Sequence, residues 1–165
     1  MQVAAIGHRT EFNLGFDGLS GHSSTAAPRS DMATRILLVD DHPIVRQGLK
    51  TILEGHSNWE VVGEASDGAE AIEKAGKLNP DIMVLDVTMP TMNGLEACRA
   101  LRRQFPQLEI LFVTQHDSPQ MMREALDAGG RGYVVKSNAA RDLLEAVEAV
   151  SQHRVFTALN GKSFA

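Results

Sequence analysis

Three short runs, ILLV at 36–39, IMVL at 82–85 and ILFV at 110–113, are apolar at every position. A strand with one face in water alternates in polarity, so an unbroken apolar run of strand length describes a strand covered on both faces, as at the centre of a parallel sheet. Between these runs the apolar residues recur at helical spacing: Val45, Leu49, Ile52 and Leu53; Ala71, Ile72, Ala75 and Leu78; Leu95, Cys98, Leu101 and Phe105; Leu143, Leu144, Val147 and Val150. Two more strand segments, WEVVGEAS at 59–66 and GYVV at 132–135, bring the pattern to five strands alternating with five helices. Alternation of this kind builds βαβ units with right-handed crossovers. The expected fold is α/β, a flavodoxin-like doubly wound five-stranded parallel sheet in the order 2-1-3-4-5 with five helices. The more polar second strand belongs near an edge.

Start and stop signals fall where that scheme needs them. Pro43 is pre-organised for a first helical position. Asp67 with Glu70 three residues on caps the second helix, and Asn79-Pro80 ends it. Ser118-Pro119 opens the fourth helix, Ala128-Gly129-Gly130 closes it, and Asn138 is positioned to cap the last. After Val150 the pattern fades. Residues 1–33 carry scattered glycines and a Ser/Thr cluster with no apolar period, which predicts a disordered extension that cannot offset its ordering entropy. The expected organisation is therefore 1–33 extension, 34–152 folded domain, and 153–165 tail or start of a linker.

The formal net charge of −5 argues against non-specific attraction to nucleic acid. No apolar run is long enough to span a bilayer and the N-terminus has no signal-peptide pattern, so a cytoplasmic protein without membrane contact is expected. One cysteine, Cys98, excludes an internal disulfide and sits on a helical stripe, where a buried inert thiol is expected.

The chemistry gathers at strand ends. Asp40 and Asp41 follow the first strand, Asp86 the third, Thr114 closes the fourth and Lys136 follows the fifth. These are the C-terminal ends, where open α/β sheets place their ligands, and strands 1 and 3 flank the switch point. Each residue alone has an ordinary explanation: acids serve helix N-termini, Thr favours strands, and Lys is usually solvated. Together, three carboxylates in one crevice would repel one another unless a hard divalent cation such as Mg²⁺ bridged them. A nearby Lys and hydroxyl suit the oxygens of an incoming phosphoryl group.

The segments ILLVDDHP, LDVTMPTMNGLEA, VTQHD and AGGRGYVVKS, in this order across about 34–152, resemble the receiver domain of two-component response regulators, most closely the NarL/FixJ type. The resemblance implies that Asp86 accepts a phosphoryl group from a phosphohistidine on a sensor histidine kinase. It implies Mg²⁺ held by Asp41, Asp86 and the Thr88 backbone carbonyl, with Asp40 orienting metal-bound water. Lys136 would pair with the phosphoryl group, Thr114 would hydrogen-bond to it, and Tyr133 would turn inward when Thr114 moves. The added charge would switch a surface formed by the fourth helix, fifth strand and fifth helix, governing homodimerisation or partner choice. Such a protein is a signalling receiver that assists its own phosphorylation and dephosphorylation, not an enzyme with an independent substrate.

Thr88 and His116 occupy positions that, by the same resemblance, tune the lifetime of the phosphoryl group. Gln115 is bulky where many receivers are small, which implies restricted access for small phosphodonors and water. Two histidines, His42 and His116, lie among hard oxygens, a set that suits Mg²⁺ better than a transition metal. The output stays open between a stand-alone receiver and the N-terminal part of a NarL/FixJ-type transcriptional regulator. The segment after 152 is too short for a helix-turn-helix and has no basic recognition helix, so no nucleic acid contact is expected through these 165 residues. A phosphatase working through an aspartyl phosphate is the rival from another class. The haloacid-dehalogenase type needs an acid two residues after its nucleophile, where this chain has Thr88. A flavodoxin would need a Ser/Thr/Gly phosphate loop where Asp40, Asp41 and His42 stand.

Overall fold

A computed structural model describes residues 32–159 and 162–164. Of the extension expected to be disordered, 1–33, residues 1–31 lie outside the described residues; 32 and 33 are exposed and precede β1. The elements run β1 (Thr34–Val39), α1 (Pro43–Glu54), β2 (Trp59–Ala65), α2 (Gly68–Leu78), β3 (Ile82–Leu85), α3 (Gly94–Gln104), β4 (Glu109–Thr114), α4 (Pro119–Asp127), β5 (Gly132–Val135), α5 (Ala139–Ser151), β6 (Phe156–Leu159) and β7 (Lys162–Phe164). The sheet order is β2-β1-β3-β4-β5-β6-β7. Its first five strands are parallel in the expected order, with polar β2 at the edge.

The unbroken apolar runs explain themselves in two cores. Odd-numbered Leu37, Val39, Met83 and Leu85 of β1 and β3, with Ile110 and Phe112 of β4, face α2, α3 and α4 through Ala71, Ala75, Ala97, Cys98, Leu101 and Ala125. Their neighbours Ile36, Leu38, Ile82, Val84, Leu111 and Val113 face α1 and α5 through Leu49, Leu53, Leu143, Val147 and Val150. Cys98 is buried, donates to the Ala128 carbonyl, and burial pushes its thiol up to about 12, so it is inert.

Most helix punctuation behaves as the residues dictate. Asp67 accepts from the backbone N–H groups of Ala69 and Glu70, while Glu70 reaches back to the Ser66 N–H and hydroxyl. Those bonds and Lys74, whose ammonium is the largest influence, pull Glu70 down to about 2. Asn93 and Glu96 form a reciprocal capping box on α3 that the sequence reading passed over. Asn138 departs from expectation: it sits at the start of α5, but its side chain makes no cap bond, because a 3₁₀ turn (Lys136–Asn138) leads directly into the helix.

The larger difference lies after α5, in the segment expected to be a tail. The chain reverses at His153 (φ 58°) and returns as β6, parallel to β5, and β7 pairs antiparallel with β6. Phe156 and Ala158 are fully buried with α5. A four-residue FTAL segment carries no periodic signal of its own. It is a strand because β5 would otherwise present unpaired backbone groups at the sheet edge.

Candidate functional site

Each residue at the crevice closes or directly follows a buried strand. β1 is buried to Val39 and then meets Asp40, 1% exposed, whose N–H donates to the Ala65 carbonyl at 3.1 Å. β3 is buried through Leu85 and continues into Asp86, 2% exposed, whose N–H donates to the Val39 carbonyl at 2.9 Å. Thr114 ends β4 fully buried, and Lys136 follows β5. The backbone after Asp86 is fixed by α3: Gly94 N–H donates to the Val87 carbonyl at 2.8 Å. A Cβ on Gly94 would lie 2.0 Å from the Asp86 carbonyl oxygen, so only glycine permits this approach. In the same loop Thr91 adopts φ 66°, a left-handed conformation uncommon for a β-branched residue.

The structure brings together Asp40, Asp41, Asp86 and Lys136. Lys136 Nζ lies 2.6 Å from Asp40 Oδ2 and 2.9 Å from Asp86 Oδ2. Burial pushes the Asp86 carboxyl above the usual aspartate range and Asp40 adds to that, while hydrogen bonding and charge from Lys136 and the Thr88 N–H pull the other way. For Lys136, burial works against the charge, but its bonds to Asp40 and Asp86 outweigh it and hold the ammonium above the ordinary lysine value. Behind the crevice Arg46 donates to the Asp40 carbonyl and, at 2.9 Å, to Glu64. Lys50 also bonds Glu64, and these two donors hold its carboxyl below the usual range.

Thr114 and Tyr133 lie one step away. The Thr114 hydroxyl accepts the His116 N–H at 3.3 Å, and the buried Tyr133 hydroxyl donates to the His116 carbonyl. The Thr88 N–H reaches Asp86 Oδ1 at 3.3 Å.

The two histidines hold more of the site than the residue-type argument anticipated. His42 N–H donates to Asp40 Oδ1 at 2.8 Å, and its Nδ1 lies 2.9 Å from Asp41 Oδ1. His116 Nε2 meets Thr88 Oγ1 at 2.8 Å, joining the loops after β3 and β4 across the mouth. Both line a cleft of about 540 Å³ together with Asp41, Thr88, Met89, Pro90 and Gln115. Their sequence signal was only position, since each lies one or two residues beyond a strand-end residue.

The donor set suits a hard cation. Asp40, Asp41, His42 and Asp86 each offer one ligand atom, all within 4.8 Å of one another. Two buried oxygens, Asp40 Oδ2 and Asp41 Oδ1, lie near cationic or imidazole nitrogens yet accept no well-formed hydrogen bond. Oxygens in that condition are what a divalent ion satisfies.

The doubly wound sheet thus gathers the acids after β1 and β3 at its switch point and brings the Lys136 ammonium to them from the end of β5. The family model for the response regulator receiver domain matches residues 36–148, and the chain belongs to that family. It is 39% identical over 121 residues to the response regulator protein VraR of Staphylococcus aureus, an alignment covering 73% of this chain and 58% of VraR. Among solved structures it is similar to a LuxR-family two-component response regulator from Aurantimonas, with 38% identity, a TM-score of 0.74, and coverage of 78% of this chain and 91% of that one. It is likewise similar to the isolated receiver domain of RcsB from Salmonella enterica serovar Typhimurium, solved with a phosphomimetic, at 31% identity and a TM-score of 0.72, covering 76% and 94%. The protein is a receiver domain of a two-component response regulator, and it spans 58% of the length of the relative VraR.

Proposed function

We propose that Asp86 is the phosphoacceptor, supplied by a phosphohistidine on a sensor histidine kinase. One observation carries the reading: a carboxylate 2% exposed at the switch point, held by an ammonium at 2.9 Å, with a second acid sharing the same ammonium. An Asp86 oxygen attacks phosphorus, the bond from phosphorus to the donor imidazole nitrogen breaks, and that nitrogen keeps the electron pair. Lys136 turns from the carboxylates to the new phosphoryl oxygens, and the Thr114 hydroxyl, so far an acceptor for His116, donates to one of them. Asp41, Asp86 and the Thr88 carbonyl would hold Mg²⁺, with Asp40 close by to orient its hydration, and the ion would supply neutralisation of charge on the transferring group. Tyr133, which the sequence reading expects to turn inward when Thr114 moves, is already buried and bonded to the His116 carbonyl. It moves with the loop that Thr114 carries, and the surface around α4, β5 and α5 reads the change by dimerising or selecting a partner.

Among the described residues no helix is long and apolar enough to cross a membrane. The similar RcsB has also been solved as dimers bound to DNA, and this chain covers 64% of that one; a DNA-binding transcriptional output is the second reading proposed for this protein. Labelling tests the reading. A radiolabelled phosphodonor with Mg²⁺ should label the wild type and leave Asp86→Asn unlabelled, and equal labelling of both would refute it.

A further inference from the structure

A line of contacts runs from the crevice to the strand that the sequence did not announce. His116 is bonded at both backbone ends, its N–H to the Thr114 hydroxyl and its carbonyl to the Tyr133 hydroxyl. Tyr133 in turn is the register partner of Thr157 in β6. Partnered residues of adjacent strands project to the same face, so Thr157 flanks Tyr133 on the face toward α4. Two residues on, Leu159 packs against the core cluster that contains Tyr133. The opposite face of β6 is anchored by Phe156 and Ala158 under α5. Its entry is pinned as well: Phe156 N–H donates to the Arg131 carbonyl at 3.2 Å, and buried Glu109 holds both Arg131 and His153, the latter at 2.7 Å.

We propose that β6 is a strap that keeps Tyr133 inside the fold and carries the state of the Asp86 crevice to the far edge of the sheet. The coupling to the crevice rests on Asp86 being the phosphoacceptor; the strap itself does not. Tyr133 is 0% exposed although it lies on β5, because β6 covers the edge that would otherwise open beside it. Thr157, paired with Tyr133, and Leu159, packed on the same cluster, lie on the face that the ring shares. Burial of Tyr133 and docking of β6 are therefore one event, and whatever favours the first tightens the second. A phosphoryl group that accepts the Thr114 O–H draws Thr114 toward the crevice while its oxygen still accepts the His116 N–H, so the His116 carbonyl that holds Tyr133 moves with it and the strap tightens. By reciprocity a docked strap favours the phosphorylated crevice.

Tyr133 is the only tyrosine in the chain, so nitration by tetranitromethane reports on it alone. In the full chain, Leu159→Ser should raise the nitration rate by a factor of about 5 or more, the lower end of ordinary coupling energies. Thr157→Gly, which weakens the strand without touching the core, should act in the same direction. Wild-type rates in both variants, each folded by circular dichroism, overturn the strap. In the wild type, beryllofluoride with Mg²⁺ should slow amide exchange at 156–159 as well as at 86–92. Protection at 86–92 with unchanged exchange at 156–159 overturns the coupling alone. Loss of protection at 86–92 overturns the reading of Asp86 and the coupling with it, while the nitration result still decides the strap.

Discussion

Lys136 Nζ stands 2.9 Å from Asp86 Oδ2 while also touching Asp40 at 2.6 Å, so one ammonium is shared between two nearly buried carboxylates. Burial costs each charge its hydration, and a shared counter-ion returns only part of it. The crevice is thus electrostatically unfinished, and its energetics should respond sharply to removal of a charge or addition of a cation.

Asp86→Asn should stabilise the domain in the absence of divalent cations. The raised carboxyl means that the fold binds this proton more tightly than the unfolded chain does. Its contribution is therefore present below the ordinary aspartate value and is lost as pH rises through the folded-state value. At neutral pH the variant should melt at a higher temperature than the wild type, by a margin that shrinks toward acid pH. Thermal denaturation across pH checks this, and added Mg²⁺ should raise the wild-type Tm more than that of the variant.

Lys136→Met leaves Asp40 and Asp86 facing each other without a counter-ion. The expected loss is about 3 kcal/mol in chelator, as for removal of one partner from a buried pair. Mg²⁺ should return part of it. Urea denaturation with and without the ion measures both quantities.

Gly94→Ala places a methyl carbon where the Asp86 carbonyl oxygen already lies, 2.0 Å from the ideal Cβ. Either α3 or the loop after β3 must shift, at a cost of about 2 kcal/mol. Because the moving group is the backbone of Asp86 itself, phosphodonor labelling should fall more than the loss of stability accounts for.

How much of this could be read from the chain follows from where each signal resides. Ile36–Val39, Ile82–Leu85 and Ile110–Val113 declared a parallel sheet because both faces of those strands are covered, a property written locally at every residue. The caps at Asp67 and Ser118 are equally local, each side chain bonding its own helix. Strand ends then fixed Asp40, Asp86 and Lys136 at one edge without any contact being known. What stayed hidden depends on partners distant in sequence. Phe156 and Ala158 form a strand only because β5 offers them an edge, and His153 turns the chain toward it. Gly94 opens α3, and its closeness to the Asp86 carbonyl appears only when α3 is docked. His116 was notable for its position, but its bonds to Thr88 and Tyr133 span loops 28 and 17 residues away.

The most direct test is chemical mapping of the acceptor. An aspartyl phosphate is an acyl phosphate, which borohydride reduces to a stable homoserine. Wild-type protein treated with phosphodonor and Mg²⁺, reduced and digested, should carry the mass change of that conversion at residue 86 and nowhere else, and should lose it when Mg²⁺ is chelated. Reduction at Asp40 or Asp41, or an unmodified residue 86 in protein that has incorporated phosphate, would contradict the account.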